Sequence, residues 1–207
     1  MICSIKSDVV YRMARFLSYL FPSATYYIVS LVRTMKHRVM MTSLYRRIVE
    51  NALTEAQDRV EEILRRNGVS NILREFVYSN RVSDLLKYAE KHSIDLIAIT
   101  PRSTYNLDRL GHVAEKIIRR SKIPLLLYTW KADPIITRRR VLNVAKIGSP
   151  PIKILNELSR VNEIRLVDLG KSASVDNRIM EFDIVFVDKE SFLREPSKYL
   201  WVVSIIY

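Results

Sequence analysis

The sequence predicts an α/β fold: a parallel β-sheet with helices on both faces over residues 1–130, followed by a smaller α/β unit. Three observations carry this. Apolar residues switch repeatedly between a strand period and a helical period. The candidate strands are near-continuous apolar runs, which need cover on both sides. Helix-length segments separate them, as crossovers between parallel strands require.

Residues 2–5 suit a short strand. Ser7 or Asp8 suits a helix N-cap, because either side chain accepts from a free helix-start amide. Val10, Met13, Ala14, Leu17, Leu20 and Phe21 follow at helical spacing, and Pro22 stops that helix. Tyr26 to Val32 is a β-branched and aromatic run, hence a second strand. After a basic loop, a long helix starts near Thr42 or Ser43. Its predicted inward stripe is Leu44, Ile48, Ala52, Ala56, Val60, Ile63 and Leu64, and Gly68 suits its end.

Residues 71–78 form a third strand. Asn80 is placed to cap a helix that buries Val82, Leu85, Leu86 and Ala89. Residues 95–100 form a fourth strand. Residues 107–121 form a helix with Leu110, Val113, Ala114, Ile117 and Ile118 inward. Residues 124–129 form a fifth strand, where Pro124 occupies a first position that tolerates its missing N–H. Residues 131–140 read as a basic linker ending in Arg138-Arg139-Arg140. Beyond it come strands at 141–147, 164–168, 184–188 and 201–207, with a helix opened by Pro150-Pro151. About seventy residues make a thin core, so this unit is expected to lean on the first or on a partner chain.

Composition narrows the function classes. With 48% hydrophobic and 27% charged residues the chain is globular rather than disordered. A single cysteine, Cys3, excludes a disulfide framework or a Cys-rich zinc module and reads as core. Gln57 is the only glutamine, a bias that suits a thermophile. Residues 16–32 carry no charge, but Pro22 and Ser23 interrupt a run already short of the ~20 apolar residues of a spanning helix. No signal-peptide pattern opens the chain, so a cytoplasmic protein without a membrane partner is expected. The net charge of +12 is concentrated in residues 1–50, at +6, and 101–150, at +8. Those two segments suit weak binding to nucleic acid. Tyr and Phe are not interleaved with Arg as a base-stacking platform would need.

Several runs resemble the universal stress protein family. They are Ser83-Asp84-Leu85-Leu86, Ile94-Asp95-Leu96-Ile97-Ala98-Ile99, Gly111-His112-Val113-Ala114-Glu115-Lys116-Ile117 and Ile123-Pro124-Leu125-Leu126-Leu127. The resemblance implies a doubly wound, Rossmann-like, five-stranded parallel sheet in the order 3-2-1-4-5. It implies a non-catalytic binding or regulatory role, and ATP or AMP as the ligand of nucleotide-binding members. It also implies dimers that pair their last strands. Here those strands are 124–129 and 201–207, expected side by side in a homodimer or within one chain. Val144 to Pro150 and Phe182 to Val187 echo the first and fourth strands, so the second unit reads as a shortened, degenerate repeat.

The nucleotide signature is altered. Thr100 and Ser103 stand where the family's first two loop glycines lie, and His112 replaces a Ser or Thr. Seven residues, not nine, separate Ser103 from Gly111. Lys6 stands where the family's first strand ends in Asp. Tight ATP binding and a resident cofactor are therefore not expected. Lys6, Thr100, Arg102, Ser103, Arg109, Gly111 and His112 nonetheless converge in this topology at the switch point. There a helix start and cations suit an anion. Asp168 and Asp188, with Asp183 nearby, end predicted strands where metal-dependent phosphoryl-transfer enzymes place carboxylates, but no glycine-rich loop or general base accompanies them. His37 and His92 have no partner at ligand spacing.

Overall fold

A computed structural model describes residues 1–3, 8–32, 43–100, 110–129, 141–170 and 178–207. The first half contains β1 (Ile2–Cys3), α1 (Asp8–Leu20), β2 (Tyr26–Val32), α2 (Ser43–Arg66) and β3 (Ile72–Tyr78). It continues with α3 (Val82–Lys91), β4 (Ile97–Ile99), α4 (His112–Arg120) and β5 (Leu125–Leu127). The second half contains β6 (Val141–Ile147), α5 (Ile152–Val161), β7 (Glu163–Asp168) and a 3-10 turn (Arg178–Glu181). β8 (Ile184–Val187), α6 (Lys189–Arg194), α7 (Pro196–Tyr199) and β9 (Val203–Ile206) complete it.

Among the described residues nine strands form one sheet, ordered β3-β2-β1-β4-β5-β9-β8-β6-β7. The first five strands are parallel in the expected 3-2-1-4-5 order. β1 is short but central: Ile2 faces Ile28 of β2 on one side and Ala98 of β4 on the other. β9 runs parallel to β8 and antiparallel to β5, with Leu125 opposite Ile206 and Leu126 opposite Ile205. The expected pairing of the two last strands thus occurs inside one chain. The carboxyl ends of the two parallel strand sets consequently point to opposite ends of the sheet.

Strand alternation sends neighbouring side chains to opposite faces. Leu126 joins Phe16, Leu20, Val60 and Leu64 under α1 and α2, in a core that continues through Leu142, Ile154, Leu158 and Ile205. Leu125 and Leu127 face the other way, toward Leu85, Ile118, Phe192 and Ile206. Each core spans both halves, so the thin second unit shares its apolar interior with the first. Fully burying each such Leu or Ile contributes roughly 1.5–3 kcal/mol.

Three local expectations need correction. Ile48 is 57% exposed and Ala52 is also exposed, whereas Ala56, Val60 and Leu64 are buried. The 24 residues of α2 span about 36 Å, whereas the seven of β2 span about 23 Å. The helix is therefore longer than the strand it covers. Asn80 does not cap α3: Arg81 holds the N-cap position, and its N–H donates to the Ser79 hydroxyl at 2.9 Å. Ser79 in turn donates to Asp84 at 2.5 Å. Val113 is exposed rather than inward, because α4 buries only Ala114, Ile117 and Ile118.

Candidate functional site

The switch point of the first half lies beyond the carboxyl ends of β1 and β4. Thr100 follows β4 directly and is half-buried. Gly111 is the N-cap of α4 with extended backbone (φ −67°, ψ 145°), so it is not there to supply a left-handed turn. Its carbonyl accepts from the Glu115 N–H at 2.9 Å, and no side chain caps the helix. His112, the first helical residue, is exposed at this amide-rich, electropositive terminus. Lys6, Arg102, Ser103 and Arg109 lie outside the described residues, as do His37 and the linker 131–140.

Beside this switch point a groove of about 440 Å³ opens between the starts of α3 and α4. Arg81, His112, Lys116 and Arg120 line it over Leu31 and Val82. His112, Lys116 and Arg120 recur every four residues, which puts them on one face of α4. Among the described lining residues there is no carboxylate. Glu115, also on α4, is paired with Arg119 instead. Arg81, Lys116 and Arg120 were not among the sequence candidates. The i, i+4, i+8 spacing on α4 was the legible signal.

The corresponding point of the second half lies at the opposite end of the sheet, beyond β6 and β8. Tyr207 lies there, partly buried. Its hydroxyl donates to the Ile147 carbonyl at 2.6 Å. Its backbone is held on both sides, by the Val187 carbonyl and the Lys189 N–H. Gly148 turns away from β6 at φ +87°, and a Cβ there would meet the Tyr207 Oη at 2.9 Å. Burial, with Asp188 and Asp168 nearby, pushes the Tyr207 phenol up to about 12. Asp188 alone separates β8 from α6, whereas residues 100–111 separate β4 from α4.

The three aspartates do not converge. Asp188 caps α6, accepting from the Ser191 N–H at 2.9 Å and from its hydroxyl at 2.7 Å. Asp168 pairs with Lys146 at 2.9 Å and accepts from the Gly170 N–H. The Lys146 ammonium holds its carboxyl below the usual range. Asp183 accepts from the Asn143 N–H and ties the start of β8 to β6. Among the described residues no group of three His, Cys, Asp or Glu is placed to hold a metal. Cys3 is half-buried, and burial pushes its thiol up to about 11, the opposite of an activated thiolate.

A larger cleft, about 530 Å³, lies at the amino ends of β1, β2 and β4, where α5 approaches from the second half. Two ion pairs line it, Lys153 with Asp95 at 2.6 Å and Arg160 with Glu157 at 2.5 Å. His92 packs there against the rings of Tyr27 and Tyr88. The cleft lies at the end of the sheet away from the carboxyl ends of β1 and β4, where a switch-point ligand of the first half would sit. Among the described residues no helix is long and apolar enough to cross a membrane.

Comparison with known proteins gives a family and a fold. A model described as the universal stress protein family matches residues 20–129. No curated protein sequence matches the chain. The structure of a universal stress protein from Archaeoglobus fulgidus DSM 4304 aligns with 97% of this chain and 94% of its own, with a TM-score of 0.65 at 11% identity. A putative universal stress protein from Pseudomonas aeruginosa UCBPP-PA14 aligns with 100% of this chain and 90% of its own, with a TM-score of 0.57 at 8% identity. At these identities the likeness is one of fold.

Proposed function

The chain belongs to the universal stress protein family, and on that premise we propose a non-catalytic, cytoplasmic binding or regulatory protein that does not bind ATP tightly. The observation that carries this reading is Tyr207, which takes the space beside Gly148 at the end of β6. In the sequence Lys6, Thr100, Ser103 and His112 stand at positions where nucleotide-binding members of the family carry the residues that hold adenosine and admit phosphate. Bare glycine amides approach phosphate closely, and side chains at those positions stand in the way.

The reading includes the chain's organisation. Residues 1–130 are the family domain, 131–140 a basic linker, and 141–207 a shortened repeat. β6, β7, β8 and β9 then correspond to β1, β2, β4 and β5, with α2 and β3 lost from the second copy. The matching strand order on either side of the β5–β9 pair supports it. Calorimetry with ATP and AMP tests the ligand reading. Micromolar or tighter affinity, about −8 kcal/mol, overturns it.

A second reading has one observation in its favour. The cationic groove of Arg81, His112, Lys116 and Arg120 suits the phosphate backbone of a nucleic acid. Binding would be weak and indifferent to sequence, and would fall steeply with salt. Titration of a duplex at two salt concentrations checks this, with Lys116→Glu expected to lower the salt slope. The phosphoryl-transfer reading has no comparable support, since Asp168 and Asp188 are separated by β6 and engaged locally.

A further inference from the structure

The cleft of about 530 Å³ belongs to neither half alone. Ile2 of β1, Leu17 of α1 and Ala98 of β4 line it from the first half, and α5 supplies a wall from the second. Its volume falls in the range of small-molecule sites, which favour the junction of two units. Ile2, Leu17, Ala98 and Ile154 are buried and make its depth apolar. The Met1 amine beside them is engaged, donating to the Leu96 carbonyl at 2.7 Å.

The α5 wall carries both signs of charge. Lys153, Glu157 and Val161 all line the cleft, and their spacing of four residues puts them on one face. A cation and a carboxylate therefore follow one another along the wall, separated by about 6 Å of helical rise. Lys153 lies in the first turn of α5, where no acidic residue and no side-chain cap offsets the positive end of the helix dipole. Asp95 and Arg160 are the present partners of Lys153 and Glu157. Both pairs are solvent-exposed, and exposed pairs contribute little, so each opens readily to a replacement. A ligand of one sign would engage one wall group and leave the other unserved. A ligand with both signs at the matching separation engages the two together.

We propose that this cleft binds a dipeptide with apolar side chains, its carboxylate on Lys153 and its ammonium on Glu157. Two extended residues span about 7 Å, close to the separation along the wall. The ligand carboxylate then also faces the positive end of α5. Its side chains enter the apolar depth formed by Ile2, Leu17, Ala98 and Ile154. The site stands apart from the switch point of the first half, so its failure would leave the nucleotide reading untouched.

Calorimetry on the full-length chain with leucyl-leucine tests the proposal. Submillimolar binding is expected. Free leucine, N-acetyl-leucyl-leucine and leucyl-leucinamide each lose one charged contact or the span, and should bind about tenfold more weakly. Lys153→Ala should erase the difference between the dipeptide and its amide, and Glu157→Gln the difference between the free and acetylated forms. Asp95→Asn releases Lys153 from its resident partner and should tighten binding several-fold, a gain that a merely structural ion pair would not give. Melting curves check that the variants remain folded. No binding of leucyl-leucine at millimolar concentration overturns the proposal. So does equal binding of the capped forms or of free leucine, affinity indifferent to Lys153→Ala, or weaker binding by Asp95→Asn.

Discussion

Gly148 and Tyr207, fifty-nine residues apart in sequence, share one space: a Cβ on the first would stand 2.9 Å from the hydroxyl of the second. That closeness ties the end of β9 to the turn after β6. The same hydroxyl donates to Ile147, immediately before the glycine.

Gly148→Ala is therefore expected to destabilise twice over, through the positive φ and through the clash. A cost of about 1–3 kcal/mol follows from backbone strain alone. Adding Tyr207→Phe removes the oxygen, and with it part of the cost but not the φ penalty. Urea titration of the single and double variants separates the two. A Gly148→Ala protein as stable as the parent would contradict the geometry.

Tyr207 also predicts a pH response. Its folded phenol is raised to about 12 from an ordinary 10. Between those values the folded state keeps a proton that the unfolded state has released, so stability falls as pH rises. Below about pH 10 both states are protonated and the contribution is complete. Thermal melts at pH 9 and pH 11 should show a smaller drop for Tyr207→Phe than for the parent. The variant should also lose about 1 kcal/mol at neutral pH with its hydrogen bond. Equal alkaline drops in the two proteins would exclude Tyr207 as the source.

Gln57 is buried and bonds Ser30 at 3.1 Å and the Glu75 carbonyl at 3.0 Å, joining α2 to β2 and β3. Gln57→Leu keeps the bulk and deletes the donors. A loss of about 1–3 kcal/mol is expected for buried acceptors stripped of their partner, measured by chemical denaturation. A neutral effect would mean that these bonds are replaced on relaxation.

Removing residues 201–207 takes out β9, which lies between β5 and β8. The sheet loses its central join, and the apolar edge of β5 is exposed to other chains. The truncated protein should aggregate or fail to accumulate. A soluble, monodisperse product with the parent's melting temperature would show that the join is dispensable.

Residues 1–130 were legible in the sequence as alternating strands and helices, and so was the apolar character of 124–129 and 201–207. These are properties of neighbours. A run such as Leu125-Leu126-Leu127 shows its two-sided burial directly, and Leu85, Leu86 and Ala89 show a helical face within two turns. How much longer a helix is than the strand it covers is not a local property. Ile48 continues the periodic stripe but stays exposed, and Ser79 rather than Asn80 meets the start of α3.

Tertiary structure alone decided that β9 pairs with β5 of the same chain. It also decided that Tyr207 takes the space beside Gly148, that Asp168 and Asp188 stay apart, and that Arg81 joins Lys116 and Arg120 in one groove. Each depends on which strand edges meet across long stretches of chain. An apolar edge strand states that it needs a partner but carries no address for one. The partner is selected when two cores merge across the sheet, because that arrangement buries Leu126 and Ile205 together on one face and Leu125 and Ile206 on the other.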